Sequence, residues 1–153
     1  MALRVKIDRY GFTLVELVVV VMILGILASI AAPRMLGTSD KAVDNGLRHS
    51  LSVIRTAIDS YAAEHPGELP GADGQQQTFK DDIAPYLRGN EFPSSPVGAK
   101  NNEIRLLGGA GPITTSIGGT AATHGWVYQY ETGAFHANNT ATASDGTTTY
   151  DEF

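Results

Sequence analysis

The sequence predicts an α+β fold in which one long N-terminal helix, its first half membrane-spanning, packs by its second half against a small antiparallel β-sheet head. Three observations lead there. An apolar run covers Phe12 to Ala32, an apolar stripe at helical spacing continues to Tyr61, and the last third holds short aromatic and β-branched segments between turn residues. Stripe and sheet each need a cover, and covering one another satisfies both. The expected divisions are a leader over 1–11, a membrane-spanning half-helix over 12–33, an amphipathic half over 34–65 and a head over 66–153.

Composition narrows the function classes. The 153 residues suit one modest domain, and 11 basic against 16 acidic residues give a net charge of -5. No basic cluster stands in the body of the chain, so the footprint of a nucleic-acid binder is missing. The absence of cysteine excludes disulfides and thiol-based metal or catalytic sites. His49, His65, His124 and His136 are scattered without ligand spacing, and no nucleophile–base pair can be drawn. The sequence therefore predicts a non-enzyme without a cofactor.

The leader carries Arg4, Lys6 and Arg9 against Asp8, a local excess of positive charge before the apolar run. The run itself, FTLVELVVVVMILGILASIAA, has Glu16 as its only charge. Its 21 residues rise about 31 Å as a helix, close to the thickness of a bilayer's hydrocarbon core. The positive-inside rule keeps the N-terminus in the cytoplasm and sends the rest outward. A secretory signal peptide is the competing reading, but the run exceeds the usual apolar core, and an acidic residue near its start serves no purpose there.

Glu16 poses the main question. An ionisable group at the bilayer centre costs roughly 2.5–3.5 kcal/mol on insertion scales, so it needs a partner or a way out. It can lie shallow, helped by the positive end of the helix dipole. It can also meet a cation: were the backbone cut between Gly11 and Phe12, the new amine of Phe12 would stand one turn before Glu16. In a bundle of staggered identical helices that amine can come from a neighbour, and the pair then sets register as a lone polar residue does in a coiled coil.

The order Gly11-Phe12-Thr13-Leu14-Val15-Glu16-Leu17, with its basic leader, apolar span and following Pro33, resembles the class III signal of type IV pilins and type II secretion pseudopilins. The resemblance covers about the first fifth of the chain. It departs in one place, where Tyr10 precedes Gly11 instead of a basic residue. It implies that a prepilin peptidase cuts between Gly11 and Phe12, that Phe12 is N-methylated, and that Glu16 directs subunit docking. It further implies a homo-oligomeric filament drawn from the bacterial inner membrane by an assembly platform and ATPase, with the C-terminal part periplasmic. Gly25 and Pro33 resemble the positions where such helices bend or melt on packing. A pseudopilin of a type II secretion system is the leading expectation. A surface pilus subunit and a monomeric membrane-tethered binding domain are the alternatives.

Beyond Pro33, Val43, Leu47, Leu51, Ile54, Ile58 and Tyr61 form one apolar stripe, with Asp44, Arg48, Ser52, Arg55 and Asp59 largely off it. Pro66-Gly67 ends the helix. A polar loop over 67–78 leads to a short helix over 79–88, with Thr78 as N-cap and Asp81 and Asp82 in its first turn. Residues 89–100 read as an extended connector, Glu103–Leu107 as a strand and 108–120 as a Gly-rich flexible loop. Around Glu131-Thr132-Gly133, the segments Gly125–Tyr130 and Ala134–Asn138 read as a hairpin whose aromatics cover the Val43–Tyr61 stripe. The W-V-Y…T-G-x-F order there also resembles the closing hairpin of some pseudopilin-like proteins.

The tail, NTATASDGTTTYDEF, is weakly ordered by composition. Asp145, Asp151 and Glu152 invite calcium, because major pseudopilins carry a calcium ion at the C-terminal end, but the family's Gly- and Asp-rich end segment is not recognisable here. Asn138-Asn139-Thr140 fits the glycosylation pattern by chance.

Overall fold

The computed structural model describes residues 11–111, 113 and 123–153, the side chains of 32–37 excepted. The expected leader before Gly11, the side chain of Pro33 and most of the Gly-rich loop lie outside the described residues. Two compact units are distinguished, Met1–Thr38 and Ser39–Phe153.

Helix α1 runs from Leu14 to Glu64, with helical backbone at Gly25 and Pro33. In the first unit none of the Leu14–Ala31 stretch is buried, and it is long and apolar enough to cross a membrane. Such a surface has no stable place in water.

In the second unit the predicted stripe points inward. Leu47, Leu51, Ile54 and Ile58 are buried, and they form one cluster with Phe79, Ile83, Trp126, Tyr128 and Phe135. Phe79 sits among the rings, its centroid 4.3 Å from Tyr128 and 6.0 Å from Phe92. It comes from α2 (Gln76–Ile83), which begins three residues before the expected start. Asp73 explains the difference, because its carboxylate accepts the Gln75 amide at 2.9 Å and the Thr78 hydroxyl at 2.7 Å. Thr78, the expected N-cap, is therefore inside the helix. Asp82 accepts the Gly71 amide at 2.8 Å and is not a helix-start residue.

Three strands follow, β1 (Ile104–Leu107), β2 (Trp126–Gln129) and β3 (Ala134–Ala137), in the order β1-β2-β3. The hairpin is as expected: β2 and β3 are antiparallel, and Gly133, at φ 75°, donates its amide to the Gln129 carbonyl at 2.9 Å. The expectation of a wholly antiparallel sheet is corrected. β1 pairs parallel with β2, Ile104 opposite Trp126. The long connection between them brings the chain back to the end from which β1 started, as parallel pairing requires.

The tail also departs from expectation, because it is ordered. Thr142 and Thr149 form an antiparallel bridge. Asp145 Oδ1 accepts the amides of Thr147 and Thr148, both at 2.9 Å, and Thr149 and Glu152 cap a closing turn over Tyr150–Glu152. Composition understates this order because the Thr, Ser and Asp side chains bond their own backbone. Asp44, expected off the core stripe, is only 8 % exposed, because the tail covers it and its Oδ2 accepts the Ser144 amide at 3.0 Å. The Asn138 side chain is fully buried and donates to the His124 carbonyl at 2.8 Å, which closes it to glycosylation.

Candidate assembly site

The start of α1 is a reciprocal cap. Gly11, Phe12 and Thr13 precede the helix, and the first intrahelical bond runs from the Leu17 amide to the Thr13 carbonyl at 3.2 Å. Thr13 is the N-cap: its hydroxyl oxygen accepts the Glu16 amide at 3.2 Å. Glu16 reaches back, and its Oε2 accepts both the Thr13 amide at 3.0 Å and the Thr13 hydroxyl at 2.9 Å. This is a capping box, T-x-x-E ahead of an apolar run, and it satisfies two amides that a helix start leaves without partners.

The cap changes what Glu16 needs. Charge alone sets the carboxylate against a search for a cation, whereas here Thr13 supplies two donors within one turn. The signal in the sequence is the spacing Thr13-Leu14-Val15-Glu16, which makes Glu16 an N3 residue as well as a charge. Both donors use Oε2. Oε1 has no hydrogen-bond partner among the described residues.

Phe12, at the mouth of the cap, is 85 % exposed, and the side chains from Leu14 to Ile30 follow it outward. The one hydroxyl further along, that of Ser29, is spent on the Ile26 carbonyl at 2.7 Å. A Cβ built on Gly25 meets nothing within 4 Å. The structure thus brings Phe12, Thr13 and Glu16 together at one end of an otherwise apolar rod. It does not bring the histidines together: His65 stacks on Tyr61 at 4.2 Å, and His136 Nδ1 lies 2.8 Å from the Asp151 carbonyl.

Comparison with known proteins agrees with this geometry. Residues 8–32 match the prokaryotic N-terminal methylation motif. The chain is 33 % identical to the type IV major alpha-pilin of Moraxella bovis, over 72 % of this chain and 70 % of that one. It is 38 % identical to the type II secretion system core protein G of Aeromonas hydrophila, over 67 % of this chain and 75 % of the relative. It is 29 % identical to the type IV narrow pilus major component PilA5 of Thermus thermophilus, over 74 % and 91 %. No solved structure matches. An exposed apolar helix opened by a Thr–Glu cap, carrying a small α+β head and matching these relatives across most of their length, belongs to the type IV pilin and type II secretion core protein G family.

Proposed function

We propose that the chain is a structural subunit of a type IV pilin-like filament, of the pseudopilin kind that serves a type II or related protein secretion system. The observation that carries the reading is the capped Glu16 at the head of α1, whose apolar stretch Leu14–Ala31 is wholly exposed. The relatives support it, being structural subunits and not enzymes, and several of them are core G proteins of secretion systems.

In this reading the chain inserts with the leader in the cytoplasm and the head outside the inner membrane. Prepilin peptidase cuts between Gly11 and Phe12, and Phe12 is N-methylated. The cap on Oε2 makes Glu16 tolerable while the subunit waits in lipid, since a carboxylate already accepting two hydrogen bonds is cheaper to bury. Oε1 then meets the methylated amine of a neighbour and fixes the stagger. An inner-membrane platform and an assembly ATPase supply the work of extraction, and burying each apolar helix against its copies supplies the cohesion. Gly25 and Pro33 give the helix two places to bend as it packs.

A surface pilus subunit is the second reading, favoured by the pilins among the relatives. Both require the same test at the N-terminus. Mass spectrometry of the mature chain should find N-methyl-Phe12 as its first residue. Glu16→Val should leave membrane insertion intact and abolish filament formation. Normal filaments from that variant would remove the role assigned to Glu16.

A further inference from the structure

The major pseudopilins that this chain resembles hold calcium in the C-terminal segment, and the tail here carries Asp145, Asp151 and Glu152. Calcium takes six to eight oxygens. The donors present do not fit that demand. Asp145 Oδ1 is occupied by two amides, Glu152 Oε2 accepts the Thr149 amide at 3.1 Å, and Asp44 Oδ2 accepts the Ser144 amide at 3.0 Å. Among the described residues no group of three or more His, Asp or Glu side chains is placed to hold a metal ion.

What holds the tail instead is a row of polar residues along one side of α1. Asp44 takes Ser144. Arg48 lies over the Phe153 ring, 3.6 Å from its centroid. Arg55 Nη1 donates to the Phe153 carbonyl at 2.7 Å, while its Nε and Nη2 donate to the Phe135 carbonyl at 3.1 and 2.8 Å. One planar guanidinium therefore ties the helix to both the tail and the outer edge of β3. Arginine suits this place because its donors form a fixed fork and its charge does not titrate away. His136 fastens the tail as well, its Nδ1 lying 2.8 Å from the Asp151 carbonyl.

We propose that this latch of Asp44, Arg48 and Arg55 closes residues 139–153 onto the head and does so without a bound cation, so that the fold of the head is independent of calcium. The inference does not rest on the choice between secretion and pilus roles. Asp44 Oδ1 and Asp151 Oδ1 are buried without hydrogen-bond partners among the described residues, and two such oxygens fall short of the six to eight that calcium takes.

The test uses the full processed chain in detergent, with calcium chloride or with EDTA, reading the thermal midpoint and amide exchange over 139–153. Both readings should be the same in the two conditions. Arg55→Gln should speed exchange in the tail about tenfold or more in either condition, as loss of charge-assisted bonds implies. Should that variant not fold, Arg48→Ala decides, because its side chain is exposed and it should speed tail exchange alone. A higher midpoint or slower tail exchange with calcium would overturn the proposal. So would unchanged tail exchange in both arginine variants, or in Arg48→Ala where Arg55→Gln does not fold.

Discussion

At the scale of single residues, Gly71 and Gly67 make a controlled pair. Both have positive φ, 68° and 87°, a region that costs any residue with a Cβ. At Gly71 the added Cβ would also come within 2.7 Å of the Phe79 Cβ, whereas at Gly67 it meets nothing within 4 Å. Phe79 is fully buried among three other rings, those of Phe92, Tyr128 and Phe135, and cannot retreat without unpacking them. Gly71→Ala should therefore destabilise the head by about 2–4 kcal/mol, from strain plus overpacking, and Gly67→Ala by about 1 kcal/mol. Chemical unfolding of the two variants side by side checks the difference, and equal losses would mean that Phe79 is not the fixed centre described. Neither residue announced this in the sequence, where Pro-Gly pairs mark turns and say nothing about which ring lies above them. The Thr13–Glu16 cap is the opposite case. Its T-x-x-E spacing is legible in the sequence once Glu16 is placed at N3 and not read by its charge alone.

Among elements, the apolar stripe of α1 and the β2–β3 hairpin were legible because each follows from a local rule: a 3.6-residue period in one, aromatic strands around a glycine turn in the other. The parallel pairing of β1 was not legible, since it depends on where a long connection returns. The order of the tail was hidden for a related reason: its stability comes from side-chain-to-backbone bonds and from residues a hundred positions away. Those bonds carry a pH signature. Amide donors from Thr147 and Thr148 hold the Asp145 carboxyl down at about 2. Hydrogen bonding from Ser144, chiefly its side chain, holds Asp44 below the usual carboxylate range, against burial and the nearby Asp145 charge. Both groups titrate lower folded than unfolded, so their stabilisation is full above the unfolded value of about 3.9 and is lost as pH falls toward about 2. Acidification through that window should open residues 139–153 before the sheet, seen as amide exchange rising first in the tail. Simultaneous loss of tail and sheet would count against the tail as a separately latched element.

For the whole molecule, the head and the apolar helix ask for different surroundings, and only a membrane or a bundle of copies satisfies the second. Leu14–Ala31 exposes all of its side chains, while the head closes its own core. A lone subunit is therefore complete as a folded head and incomplete as an assembly, which is the condition expected of a stored building block. Sequence made that division visible through hydropathy alone, yet hydropathy is shared by pilus and secretion subunits and cannot choose between them. The choice lies in what the polymer does. If the chain is a pseudopilin, deleting it should stop export of the secreted proteins and leave any long surface fibres in place. A cell making only Glu16→Val should show the same export defect, although the head still folds and the helix still inserts. Loss of long fibres with export intact would instead assign the chain to a surface pilus. The matching effect of deletion and of one carboxylate lost from the helix start is the decisive part, because a head acting as a tethered monomer would survive the substitution.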